Sequence, residues 1–99
     1  MRITQHSTDG AILAELGARL AWRRIDAGVT QAELAKAAGV SKRSVERIEA
    51  GRAAELPTLI RVLRSLALGD ELDALVPAAP AQSRRQRVAR RKAKSPAAD

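Results

Sequence analysis

Apolar positions recur at helical spacing along most of the chain. Ile12, Leu13, Leu16 and Leu20 make one stripe, and Arg19, Arg23 and Arg24 lie largely off it, so the pattern predicts a first helix over 10–26. Gly28 supplies its stop. The next start signal is stronger. Thr30 followed three residues later by Glu33 is a capping box, and Val29 with Leu34 is placed as a hydrophobic staple, which predicts a second helix over 31–38. Gly39 is then suited to a left-handed turn. Ser41 caps a third helix, with Val40 and Val45 as a second staple and Gly51 at its end. Pro57 fits the first turn of a fourth helix, roughly 57–67, with Leu59, Ile60, Leu63 and Leu66 inward, although Leu56 is a poor cap. Asp70 is expected to cap a short fifth helix carrying Leu72, Leu75 and Val76, which Pro77 stops. No internal repeat is visible, and Trp22 is expected to pack between helices.

The join between the second and third helices matters most. Two short helices linked by Gly39, Val40 and Ser41 have the spacing of a helix-turn-helix. That arrangement needs Leu34, Ala38, Val40, Val45 and Ile48 inward, a small residue at Ala35 where the helices cross, and a turn at Gly39. At ~100° per residue, Val45 and Ile48 define the buried face of the third helix, and Arg43 and Arg47 project nearly opposite, with Lys42 and Ser44 on the flanks. A helix presenting such donors fits the major groove, where Arg or Lys bonds guanine O6 and N7. A merely solvated charged face accounts for the charges but not for their agreement with the turn. Glu46 has two readings. It accepts from a cytosine amino group, or it pairs with Lys42 and disfavours wrong sites; the second is preferred.

Composition narrows the field further. The apolar residues are mostly Ala, Leu, Val and Ile, with Trp22 the only aromatic, which favours a small aliphatic helical core. Cysteine is absent, excluding disulfides and thiolate zinc sites. His6 is the only histidine and lies in the lead-in, away from any expected fold, so neither a Ser/His/Asp triad nor a histidine metal site is expected. Asp70, Glu71 and Asp73 are better explained by helix capping and dipole complementarity than by a metal. No enzyme activity, cofactor or metal is expected. The start MRITQHSTDG lacks the apolar run of a signal peptide, and no segment has the ~20 apolar residues of a membrane span, so the cytoplasm is the expected compartment, with no membrane partner.

The formal net charge is +7, unevenly spread. Residues 82–99 carry Arg84, Arg85, Arg87, Arg90, Arg91, Lys92 and Lys94 against Asp99 and so hold +6 of it. The remaining 11 basic and 10 acidic residues leave the folded part nearly neutral. The tail is therefore expected to make non-specific contacts to a polyanion. The chain divides into an irregular lead-in over 1–9, a helix-turn-helix domain over 10–77 with its motif at 31–50, and a basic, flexible or conditionally helical tail over 78–99.

Residues 12–76 resemble the lambda-repressor/Cro-type helix-turn-helix family, also called the XRE family. The resemblance is carried by TQAELAKAAGVSKRSVERIEAGR, with LIRVLRSL following at a suitable distance. It implies an all-α, five-helix lambda-repressor-like DNA-binding domain whose members usually bind double-stranded DNA as homodimers. It also implies roles. Lys42, Arg43 and Arg47 match base-reading positions; Gln31, Ser41, Ser44 and Arg52 match positions that touch the DNA backbone; Arg24 and Glu49 match a structural ion pair. The loop AAELP and the basic tail depart from the pattern. The wording EAGRAAELPTLIRVLRSLALGDELDALVP followed by a basic end is similar to one branch, HipB-like antitoxin regulators encoded beside a kinase-type toxin. The expected function is a small transcription regulator, a repressor acting as a homodimer on an inverted repeat, or alternatively an antitoxin that also binds a toxin protein. Leu72, Leu75 and Val76 are core, dimer contact or partner contact, with dimer contact preferred.

Overall fold

A computed structural model of the chain describes residues 1–80. Five helices follow in order: α1 (Asp9–Asp26), α2 (Gln31–Ala38), α3 (Lys42–Glu49), α4 (Leu56–Ser65) and α5 (Leu72–Leu75). A 3-10 turn at Gly69–Glu71 precedes α5. No strand occurs among the described residues. Helix α3 packs against α1, α2 and α4, and α2 also packs on α4, so α3 is held from three sides. Leu20, Leu34, Ala35, Val45, Ile48 and Val62 form the core, and Val40, Leu59, Leu63 and Leu66 pack around it.

Local chemistry explains the boundaries. The Thr8 hydroxyl accepts from the Ala11 amide at 3.1 Å, which starts α1 one residue before the expected position. The expected capping box at α2 is complete: Glu33 N–H donates to Thr30 Oγ1 at 3.0 Å, and Thr30 N–H donates to Glu33 Oε1 at 2.9 Å. Gly39 ends α2 at φ 71°, ψ 33°, a conformation costly for other residues. Val40 N–H then reaches back to the Ala35 carbonyl at 3.0 Å.

Several sequence expectations need correction. Of the α1 stripe only Leu20 is buried, while Leu13 and Leu16 remain partly open because α1 meets α3 mainly through Gly17 and Leu20. Trp22 does not pack between helices; it is 60 % exposed, with the Arg23 guanidinium 5.7 Å from its ring centre. In α4 the buried centre is Val62, and Leu59, Ile60, Leu63 and Leu66 flank it half-buried. Glu55, not Leu56, occupies the N-cap of α4, without a side-chain bond, and Pro57 sits in the first turn. Asp70 does not cap α5; it lies inside the 3-10 turn. Leu75 and Val76 are exposed rather than core, and Leu72 is half-buried. The lead-in is anchored, since Arg19 Nη2 donates to the Met1 carbonyl at 2.9 Å.

Two residues set opposite constraints on side-chain size. A Cβ at Gly17 would collide with the Ile48 carbonyl and stand 2.9 Å from that of Glu49. Ala67, by contrast, turns the chain after α4 at φ 61°, where an L side chain is strained. Gly17→Ala is expected to lower stability by about 1–3 kcal/mol despite its gain in helix propensity. Ala67→Gly is expected to raise it by about 1 kcal/mol. Urea unfolding followed by circular dichroism measures both, and the opposite signs make the comparison internally controlled.

Candidate nucleic-acid interface

The candidate surface is built around α3. Ser41 at its N-cap accepts from the Ser44 amide at 3.0 Å, and the two hydroxyls lie 2.8 Å apart. Val45 and Ile48 are buried, so the rotation of the helix is fixed from below. Lys42, Arg43, Glu46, Arg47 and Ala50 are exposed on the far side. Arg43, Glu46, Arg47, Ala50 and Arg52 line one open concavity. Ser44, Arg47, Ala53, Ala54, Glu55 and Thr58 line a second beside it, with Arg47 common to both.

Charge on this surface is left available. Among the described residues, ion pairs form at Arg24–Glu49, Arg19–Glu15 and between the Met1 ammonium and Glu15; none takes up Lys42, Arg43, Arg47 or Arg52. Glu46 makes no ion pair with Lys42 either, so the preferred pairing of these two side chains is not present. An unpaired exposed cation keeps its full charge for a polyanion.

Beneath α3 lies a clamp. Arg24 Nε donates to Glu49 Oε2 at 2.7 Å and Arg24 Nη2 to Glu49 Oε1 at 3.0 Å, a two-pronged pairing. Arg24 Nη1 donates to the Val29 carbonyl at 2.9 Å. Gln31 Nε2 donates to Glu49 Oε1 at 2.9 Å. Both charged side chains are largely covered, Arg24 at 14 % and Glu49 at 8 % exposure. Burial pushes the Glu49 carboxyl up, but the hydrogen bonds from Arg24 and Gln31, with the Arg24 charge, outweigh it and hold the group below its ordinary value. The hydrogen bonding to Glu49, with the Glu49 charge, holds Arg24 above its own ordinary value against the opposing effect of burial.

The structure thus gathers Lys42, Arg43, Ser44, Arg47 and Arg52 on or beside α3, with Ser41 at its start. Gln31 stands at the start of α2, tethered to Glu49. Gly39 forms the turn between the two helices. Arg84, Arg85, Arg87, Arg90, Arg91, Lys92 and Lys94 lie outside the described residues. Glu55 and Thr58 were not foreseen at this surface. Their proximity to Arg47 comes from the way α4 starts against α3, and the only sequence signal was the Pro57 start.

Residues 15–75 match the family model described as a helix-turn-helix domain, and this chain belongs to that family. No curated protein matches the chain. Membership supports DNA binding by a regulator, and the family is normally non-enzymatic. Among the described residues, no group of three or more His, Cys, Asp or Glu comes together to hold a metal, and no helix is long and apolar enough to cross a membrane.

The clamp has measurable consequences. Arg24→Ala leaves a covered carboxylate unpaired and is expected to cost about 3 kcal/mol of stability. For pH the sign follows from the depressed Glu49 pKa. Its stabilisation is present above the ordinary carboxylate value of 4.5 and is lost as pH falls through the lower folded value. Urea midpoints are therefore expected to drop from pH 5 downward. Glu15 and Glu33 are depressed as well and add the same sign. Glu49→Gln should start less stable at pH 7 and show a shallower acid loss; an unchanged slope would remove Glu49 from this account.

Proposed function

We propose that this protein is a sequence-specific, double-stranded-DNA-binding transcription regulator of the lambda-repressor/Cro (XRE) type. It acts as a cytoplasmic repressor and as a homodimer on an inverted repeat. The observation that carries the reading is the split personality of α3: Val45 and Ile48 are buried, while Lys42, Arg43 and Arg47 stand exposed and make no ion pair among the described residues. A helix pinned on one face and cationic on the other matches major-groove reading.

In this reading Lys42, Arg43 and Arg47 reach base edges, and Gln31, Ser41, Ser44 and Arg52 hold the phosphates on either side. Phosphate contacts fix the register; base contacts choose the sequence. Gln31 stands in the first turn of α2, whose backbone N–H groups favour an anion, and one of its two amide hydrogens remains after the bond to Glu49. Two copies of α3 would enter successive major grooves about 34 Å apart. The basic residues of the tail add non-specific attraction to phosphate. The antitoxin reading, in which the protein also binds a kinase-type toxin, rests on the wording of residues 49–77 and adds a second partner without altering the DNA-reading surface. Co-purification with the product of a neighbouring kinase-like gene supports it, and failure to co-purify counts against it.

Selection of bound duplexes from a random pool tests the central claim: an inverted-repeat consensus is expected. Arg43→Ala and Arg47→Ala are each expected to cost about 1–3 kcal/mol of specific binding and to relax the consensus at one position per half-site. If both variants select the wild-type consensus, they are not base readers. Removing residues 82–99 is expected to flatten the salt dependence of affinity while leaving the consensus intact. A shifted consensus in the truncated protein would give the tail a role in reading sequence.

A further inference from the structure

Helices α1 and α4 both pack on α3 but hardly on each other. The seam between them is an apolar groove of about 400 Å³, completed by residues of the 3-10 turn and α5. Leu20 is buried in its wall, Leu59, Ile60 and Leu63 are half-buried, and Leu16 and Leu56 stay 37 % and 58 % exposed. A concave apolar site of this volume lies in the range that small molecules occupy. No residue of α3 lines it, so a bound molecule leaves the cationic face of α3 uncovered.

The side chains of the groove restrict what fits. Apart from Arg19, Arg23 and Glu71, every lining residue is Leu or Ile. Nothing in the body of the groove directs a polar or planar group, so the occupant's body is aliphatic and its polar part sits at the rim. Arg19 is already bonded to Glu15 and to the Met1 carbonyl. Arg23 forms no ion pair among the described residues, and its guanidinium lies 5.7 Å from the Trp22 ring centre. A guanidinium offers a planar fork of donors that matches a carboxylate with two parallel bonds. Glu71, in the 3-10 turn, also makes no ion pair among the described residues, and it repels an anionic head. The head group is thereby directed to the α1 side.

We propose that this groove binds a free aliphatic carboxylate, with the acyl chain between α1 and α4 and the carboxylate on Arg23. The first turn of α4 joins this site to the candidate DNA surface. Leu56 and Leu59 line the groove, while Glu55 and Thr58 line the concavity that contains Arg47. Filling the groove therefore shifts the start of α4 against Arg47. That consequence rests on the DNA reading above; the binding site itself does not.

Titration calorimetry with decanoate, kept below its micelle-forming concentration, tests the site on the full chain. One decanoate per chain is expected, with a change in Trp22 emission as Arg23 takes up the carboxylate. Arg23→Gln, an exposed substitution, is expected to raise the dissociation constant about tenfold for decanoate and to leave that for decanol unchanged. Ile60→Trp is expected to fill the groove and block decanoate while circular dichroism shows native helix content. The proposal is overturned if decanoate does not saturate, if decanol or decylammonium binds as tightly, or if Arg23→Gln binds decanoate like the wild type. Binding only to vesicles that contain the acid overturns it too. With the selected duplex, saturating decanoate is expected to shift affinity about fivefold or more, and the duplex to shift decanoate affinity by the same factor. An unshifted duplex affinity overturns the coupling. Duplex selection without decanoate binding removes the site and leaves DNA reading intact; decanoate binding without duplex selection does the opposite.

Discussion

Arg24 and Glu49 are the joint on which the rest of the domain turns. One guanidinium grips the carboxylate at the end of α3 with two nitrogens and gives its third to the Val29 carbonyl in the α1–α2 connection. The same carboxylate accepts from Gln31 at the start of α2. Three helices and a loop are thus fixed through three side chains, Arg24, Glu49 and Gln31. The eight-residue α2 and α3 are too short to hold helical form alone, so tertiary anchoring must supply their stability. The hydrophobic contacts of Val45 and Ile48 hold α3 down, but apolar contacts are non-directional. The two-pronged ion pair adds the direction, fixing which end of α3 meets α1.

Small residues make that joint reachable. Gly17 lets the backbone of α1 come against the carbonyls of Ile48 and Glu49, close enough for Arg24 to reach across. Ala35, buried in α2, has a side chain small enough for a close approach between α2 and its neighbours. Gly39 turns the chain between α2 and α3 at φ 71° without the penalty a Cβ brings. At Gly17 and Ala35 the constraint concerns how near neighbouring elements come, and a larger side chain would move α3 as a rigid body, carrying Lys42, Arg43 and Arg47 with it; at Gly39 it is the left-handed backbone alone.

What could be read in the sequence follows from which interactions are local. The capping box of Thr30 and Glu33, the Ser41 cap and the Gly39 turn are signals within four residues, and the bounds of α2 and α3 were legible from them. The rotation of α3 was legible because Val45 and Ile48 are its only two large apolar residues. The face of α4 was not, because LPTLIRVLRSL offers six aliphatic positions and only packing against α2 and α3 selects Val62 as the buried one. Trp22 misled for a related reason. An aromatic is ordinarily a core residue, but on α1 the buried arc is taken by Gly17 and Leu20, leaving Trp22 outside it. The place of Glu55 and Thr58 beside Arg47 depends on how α4 starts against α3, which no local pattern encodes.

Reading sequence demands that affinity not come from charge alone, since phosphates are the same everywhere. Under the proposed reading the described part meets that demand by near neutrality: residues 1–80 hold 11 basic groups against 10 acidic. Two of those acids, Glu46 and Glu55, line the concavities that Arg47 shares. Neither forms an ion pair among the described residues, so each presents its full charge to whatever approaches. Under the proposed reading, a carboxylate there weakens attachment to any duplex, and only a site whose base edges satisfy Arg43 and Arg47 offsets that loss. Glu46 then acts through repulsion of the wrong sequence, without needing Lys42 as a partner. The +6 of residues 82–99 can add attraction for DNA in general without eroding this selectivity, because in this reading the acids stand on the surface where base edges are read.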